Sequence, residues 1–228
     1  MPSSRRYFIT GTDTDVGKTR VTAALAAALI QAGHTPTIVK PVQTGLPPNV
    51  PGDAAEAAAL AGCSSRELAR FALPADPWSA ALAENAEPLR CAALVDQLEA
   101  IPGELIIEGA GGIAVPLNAH TETLAHVAAD LHAEAIVAVG LRLGCINHTL
   151  LTLDYARTAG VRVAGVVLVE RWRTYTPAER EDIVRPIARR TRILGLIDHD
   201  PDAQRSVAQG AAMFARALAL TPLETAAP

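Results

Sequence analysis

Residues 11–19 read Gly11-Thr12-Asp13-Thr14-Asp15-Val16-Gly17-Lys18-Thr19, and their flanks decide what the stretch is. Before it, residues 7–10 form a short β-prone apolar run; after it, Val21, Ala24, Leu25, Ala28 and Leu29 fall on one helical stripe that Gly33 closes. A glycine-bearing loop between strand and helix turns successive backbone N–H groups toward one point, and the helix N-terminus adds partial positive charge there. In that setting Lys18 is placed to neutralise β- and γ-phosphate oxygens, and the Thr19 hydroxyl to ligate Mg2+. Gly11 stands one residue further from Gly17 than the usual G-x4-G-K-[ST] spacing. The reading therefore rests on strand, turn and helix following in order, not on the Gly-Lys-Thr tripeptide.

The same alternation continues outward. Apolar runs at 37–40, 105–108, 135–139, 163–169 and 193–197 read as further strands, without the polar alternation of a half-solvated sheet. Helical patterns cover 54–61, 92–99, 123–131, 149–159, 177–190 and 207–218. This order predicts an α/β fold of the P-loop NTPase type: a mostly parallel sheet with right-handed crossovers and helices on both faces. Residues 45–52, with three prolines and two glycines, read as a surface loop. A single domain spanning 1–228 is expected, with a loose tail at 221–228.

Half of the 228 residues are apolar, enough for a sizeable core, and the Ala excess favours helices. A net charge of −4 gives no reason to expect nucleic acid or an anionic membrane as partner. The basic runs Arg171-Trp172-Arg173 and Arg189-Arg190-Thr191-Arg192 read as solvated faces. Three widely spaced cysteines exclude a disulfide framework and a structural zinc site, and no two histidines stand four residues apart. Asp198-His199-Asp200-Pro201-Asp202 reads as an acidic turn. With no signal-peptide pattern and no membrane-length apolar stretch, a cytoplasmic location is expected.

Two acids are candidates for the metal. Glu108 ends an apolar run just before Gly109-Ala110-Gly111-Gly112, the strand end at which open α/β sheets bind ligands. Asp53 opens Asp53-Ala54-Ala55-Glu56, which is equally a helix-capping signature, and both readings stay open. Lys40, in Lys40-Pro41-Val42-Gln43-Thr44-Gly45, is held extended by the following proline. At a strand end near the phosphate loop it reads either as a solvated lysine or as a second cation for a transferring phosphoryl group.

Gly11–Thr19, Lys40–Gly45, Glu108–Gly112 and Leu143–His148 together resemble dethiobiotin synthetases, in order and spacing, with likeness thinning beyond about Val169. What the resemblance implies is a homodimeric ligase that closes a cyclic urea from 7,8-diaminononanoate, CO2 (or bicarbonate) and a nucleoside triphosphate. An amine takes up CO2 as a carbamate, the carbamate oxygen attacks the γ-phosphate, and the second amine displaces phosphate from the mixed anhydride.

Carried onto this chain, the resemblance gives Lys40, Lys18 and Thr14 to catalysis. It gives Thr12, Asp13, Thr14, Asp15, Val16, Gly17, Lys18, Thr19, Arg20, Glu108, Gly109, Ala110 and Gly111 to the nucleotide. Thr19, Asp53 and Glu108 go to Mg2+, and Lys40, Thr44, Gly144, Cys145, Ile146 and Asn147 to the substrate. Gly144–Asn147 would act from the partner subunit, with Cys145 as a backbone donor. Relatives often carry Asn-Asp where this chain has Val169-Glu170, and Ile-Pro where it has Ile197-Asp198, so ATP, CTP or another triphosphate fits the resemblance. The rivals are a partitioning-type nucleotide switch, against which Asp13 stands where those carry a lysine, and another ATP-dependent ligase or kinase on the same core.

Overall fold

The computed structural model describes residues 5–119 and 121–220; the tail expected at 221–228 lies outside them. Seven strands form one parallel sheet: β1 (Arg6–Gly11), β2 (Thr37–Lys40), β4 (Ser64–Glu67), β6 (Leu105–Gly112), β7 (Glu134–Gly140), β8 (Arg162–Val169) and β9 (Ile193–Ile197), in the spatial order β4-β2-β6-β1-β7-β8-β9. A small parallel pair, β3 (Gln43–Thr44) with β5 (Arg70–Phe71), stands beside it.

The apolar strands split their residues between the two faces of the sheet, in three clusters. Tyr7, Ile9, Ile106, Ile136, Ala138, Val167 and Val169 face helices α1 (Lys18–Gln31), α2 (Asp53–Ala61) and α8 (Ala203–Ala217). The alternate residues Phe8, Leu105, Ile107 and Ala135 face α4 (Cys91–Glu99) and α5 (Leu124–Asp130). Val137, Val139, Val166 and Leu168 face α6 (Cys145–Thr158) and α7 (Pro177–Ala188). A strand covered on both sides has no polar face to show, which is why these runs lack alternation.

The central helix α1 carries its Ala-rich sequence for a packing reason. A Cβ at Gly210 of α8 would stand 2.6 Å from the Ala24 Cβ, so small residues on both helices let their axes approach closely. Gly33, at φ +88°, follows α1 as expected of a helix-ending residue.

Three strands and a helix have no clear sequence signal. β4 has the half-exposed sequence Ser64-Ser65-Arg66-Glu67 and gains its strand from pairing with β2, from Thr37↔Ser64 to Lys40↔Glu67. β3 and β5 are two-residue strands, too short for any periodicity. Helix α3 (Pro77–Ala83) is capped by Asp76, whose side chain accepts from the Ser79 N–H. Helix α6 begins at Cys145, four residues before the expected start at 149. Among the described residues no helix is long and apolar enough to cross a membrane.

Candidate active site

The loop 12–17 leaves β1 at the middle of the sheet and delivers the chain into α1. Thr12 N–H ties it to the Ala138 carbonyl of β7 at 3.0 Å. Gly17, the N-cap of α1, has φ +96°, and a Cβ there would lie 2.8 Å from Val169 Cγ1. Conformation and space both demand glycine, because the end of β8 presses directly on the loop. Lys18 folds back over the loop and donates to the Asp13 carbonyl at 2.9 Å.

Lys40 reaches the same place from β2. The parallel register sets Val39 beside Ile107, so Lys40 at the end of β2 stands next to Glu108 within β6, which continues to Gly112 instead of ending at Glu108 as expected. Lys40 Nζ donates to Glu108 Oε1 at 3.0 Å, to Asp53 Oδ2 at 2.5 Å and to the Gly109 carbonyl at 3.1 Å. Glu108 Oε1 also accepts from the Thr19 hydroxyl at 3.2 Å, whereas buried Oε2 has no partner.

The two lysines are tuned in opposite directions. Burial, reinforced by the charge of Lys40, lowers Lys18 to about 8. Burial also acts against the Lys40 charge, but Glu108 and Asp53 outweigh it and raise its pKa. Both lysines line one cavity of about 820 Å³ with Thr14, Thr19, Thr44 and Asp53.

Asp53 does not cap α2. Gly52 is the N-cap, and the Asp53 N–H donates to Gln43 Oε1 at 2.9 Å. A carboxamide from a separate segment satisfies the helix end, which frees the Asp53 carboxylate for Lys40. The capping-box reading of Asp53-Ala54-Ala55-Glu56 is thereby replaced.

Thr14, Asp15, Gly17, Lys18, Thr19 and Arg20 line the cavity, as do Lys40, Thr44, Asp53, Glu108, Ala110 and Gly111. Thr12, Asp13, Val16 and Gly109 do not; Val16 is core, and Asp13 is the carbonyl partner of Lys18. Gly144, Cys145, Ile146 and Asn147 do not line the cavity of their own chain. The Cys145 N–H donates to the Arg142 carbonyl at 3.0 Å. Buried Cys145 is no exposed nucleophile.

Val169, Glu170 and the strand end Ile197-Asp198 also line the cavity. Val169 is occupied by the phosphate loop. Buried Glu170 turns Oε1 to Tyr175 N–H at 3.0 Å and Arg180 Nε at 2.7 Å, and Arg180 reaches on to Asp198 at 2.9 Å. The acidic turn 198–202 is spent locally: Asp200 pairs with Arg205, and Asp202 caps α8.

Sequence reading missed Gln43 as a cap, and it missed Arg142 and Arg171. Their guanidiniums pair with Asp13 and Asp15 in the phosphate loop, the second at 2.9 Å. Burial raises the Asp13 pKa, but the Thr14 N–H and Arg142 together hold it below the ordinary value. The sequence signal was two carboxylates, Asp13 and Asp15, in a loop read as receiving phosphate.

Residues 5–206 match a family described as AAA domain. The chain is 44% identical over 164 residues to the ATP-dependent dethiobiotin synthetase of Rhodococcus jostii, covering 70% of this chain and 71% of that protein. It is 38% identical over 214 residues to the ATP-dependent dethiobiotin synthetase of an Anaeromyxobacter species, covering 83% and 95%. The cell division ATPase MinD of Pyrococcus furiosus superposes with a TM-score of 0.59 at 20% identity, covering 95% of this chain and 98% of that one; this likeness shows the P-loop fold alone. Sequence relatives of that identity and coverage are decisive where the fold is shared among several activities: this chain belongs to the dethiobiotin synthetase family.

Proposed function

We propose that this chain closes the cyclic urea of dethiobiotin from 7,8-diaminononanoate, CO2 and a nucleoside triphosphate, through a carbamate and a carbamic-phosphoric anhydride. The observation that carries the reading is that Lys18 and Lys40, from different strand ends, line one cavity together with the phosphate-loop residues Thr14 and Gly17. A carbamate oxygen is a poor leaving group until phosphorylated, and its attack on the γ-phosphate brings two anions together. Two ammonium groups flanking that point lower the cost by electrostatic stabilisation of the transferring group. Lys18 takes the phosphate side, and Lys40 steadies the carbamate. The closing amine then attacks from within the same molecule, where orientation replaces much of the activation cost.

Two carboxylates and a hydroxyl fit Mg2+, which keeps waters and phosphate oxygens in its remaining positions. Glu108 supports this directly, because a buried carboxylate oxygen without a partner is an acceptor awaiting a cation. Thr19, Asp53 and Glu108 would hold the ion, which neutralises charge on the β- and γ-phosphates when bound. Thr14 and Thr44 supply hydroxyls to the nucleotide and substrate sides. Gly144–Asn147 would serve a neighbouring subunit's substrate in a homodimer, since they lie outside the cavity of their own chain. The reading puts the enzyme in the cytoplasm, where nucleoside triphosphates are supplied.

Phosphate release by the purified protein with Mg2+ tests this. Release is expected only when diaminononanoate and bicarbonate are both present. Equal release without the diamine would reject the ligase and favour a nucleotide switch.

A further inference from the structure

The basic run Arg171-Trp172-Arg173, expected on sequence grounds to be a solvated face, lies against the phosphate loop. Arg171 Nη2 is 2.9 Å and Nε 3.3 Å from Asp15 Oδ1, and both residues line the cavity. Asp15 lies in the loop with φ +56°, a left-handed conformation that Asp adopts more readily than most residues with a Cβ. Trp172 packs on the end of β7, where a Cβ at Gly140 would meet its ring at 3.0 Å. The Arg142 guanidinium lies 5.7 Å from the centroid of the same ring while pairing with Asp13.

The run itself is anchored. Arg171 N–H donates to the Val169 carbonyl at 3.1 Å, buried Glu170 holds Tyr175 N–H and Arg180, and Tyr175 OH donates to the Leu141 carbonyl at 2.6 Å. Arg171 is thus presented from a fixed base rather than from a free loop.

Two carboxylates in a loop that receives a polyphosphate are an electrostatic contradiction unless their charge is cancelled. Each is answered by an arginine from just beyond a different strand, Arg142 after β7 and Arg171 after β8. We propose that Arg171 is a positioning residue for the nucleotide: by pairing with Asp15 it cancels that carboxylate's charge and holds the loop in the turn that receives the phosphates, without touching the phosphates itself. The inference rests on the nucleotide reading of the cavity and not on the identity of the second substrate.

Equilibrium binding of Mg-ATP to the full chain, without diamine, at low and high salt, tests it. Arg171→Ala is expected to weaken binding about three- to fivefold at low salt and less at high salt, because the pair is half-exposed and screened. Arg171→Lys restores most of the loss, and Asp15→Asn with Arg171→Ala binds no worse than Asp15→Asn alone, because the second substitution then has no pair left to break. Wild-type affinity in Arg171→Ala would overturn the proposal. So would a penalty that persists undiminished in the Asp15→Asn background, since the guanidinium would then act on the phosphates directly. Should Arg171→Ala lower the thermal midpoint, Arg171→Gln carries the same comparison. Loss of diamine-dependent turnover with this coupling intact would sink the ligase reading alone; intact turnover without the coupling would sink only the role of Arg171.

Discussion

The Lys40 ammonium lies 3.0 Å from Glu108 Oε1, and both side chains are closed off from solvent although 68 positions separate them in the chain. Parallel pairing of β2 and β6 brings them side by side, and Asp53 completes the pair from the start of α2. A buried ion pair of this kind is weak support for stability, because desolvation cancels much of its attraction. Its location at the cavity floor, with one carboxylate oxygen left over, points to chemistry as the reason for its presence.

Lys40→Gln should bind Mg-ATP nearly as well as the wild type but lose turnover by about 10²- to 10³-fold, the range for removing one transition-state donor. Single-turnover phosphate release beside equilibrium nucleotide binding separates the two effects. Unchanged turnover would take the lysine out of the mechanism.

Glu108→Gln keeps the shape of the side chain but removes an anionic metal ligand. The Mg2+ concentration for half-maximal turnover should rise roughly tenfold or more, because a divalent ion near phosphate depends on carboxylate charge. Titration of turnover with Mg2+ measures it, and an unshifted midpoint would count against Glu108 as a ligand.

Lys18, lowered to about 8, makes nucleotide affinity depend on pH. Below that pH the ammonium is charged and ready for phosphate. Above it the free protein holds a neutral amine, and binding must take up a proton, so affinity falls as the pH rises. Calorimetry at about pH 9 in buffers of different ionisation enthalpy should show uptake approaching one proton, absent in Lys18→Gln. For folding, the unfolded lysine binds its proton up to its ordinary value of 10.5 whereas the folded one releases it near 8. This group's contribution to stability therefore rises between those values and is lost as the pH falls through the folded one.

Gly17→Ala forces a Cβ into a left-handed residue and against Val169 Cγ1. The backbone strain alone is about 1–2 kcal/mol, and the contact adds to it. A fall of roughly 5 °C or more in thermal midpoint is expected for a chain of this size, together with weakened nucleotide binding. An unchanged midpoint would show that the loop relaxes freely away from β8.

Where the family resemblance implies the base, Val169 is apolar and Glu170 is committed to Tyr175 and Arg180, so neither offers a carboxamide to read it. Turnover with the four common nucleoside triphosphates should agree within about tenfold, since strong selection needs buried polar groups matched to one base. A preference above a thousandfold would require a reader elsewhere in the cavity wall.

Local chemistry determined a good deal of this protein from its sequence alone. The strand–loop–helix around Lys18 is a contiguous unit whose glycines, lysine and threonine act through neighbouring backbone, and β2 and β9 matched their expected limits because apolar runs covered on both faces leave few alternatives. The tertiary structure decided whatever depended on distant partners. Asp53 was ambiguous because a helix cap and a metal ligand call for the same residue type, and only Gln43, arriving from β3, showed that its carboxylate is not needed at the helix end and pairs with Lys40 instead. β4 exists because β2 offers it an edge, not because Ser64-Ser65-Arg66-Glu67 prefers to be extended. Arg171 looked solvated because its partner lies 156 positions away in the chain, and a charge reveals its purpose only when the fold supplies the opposite one.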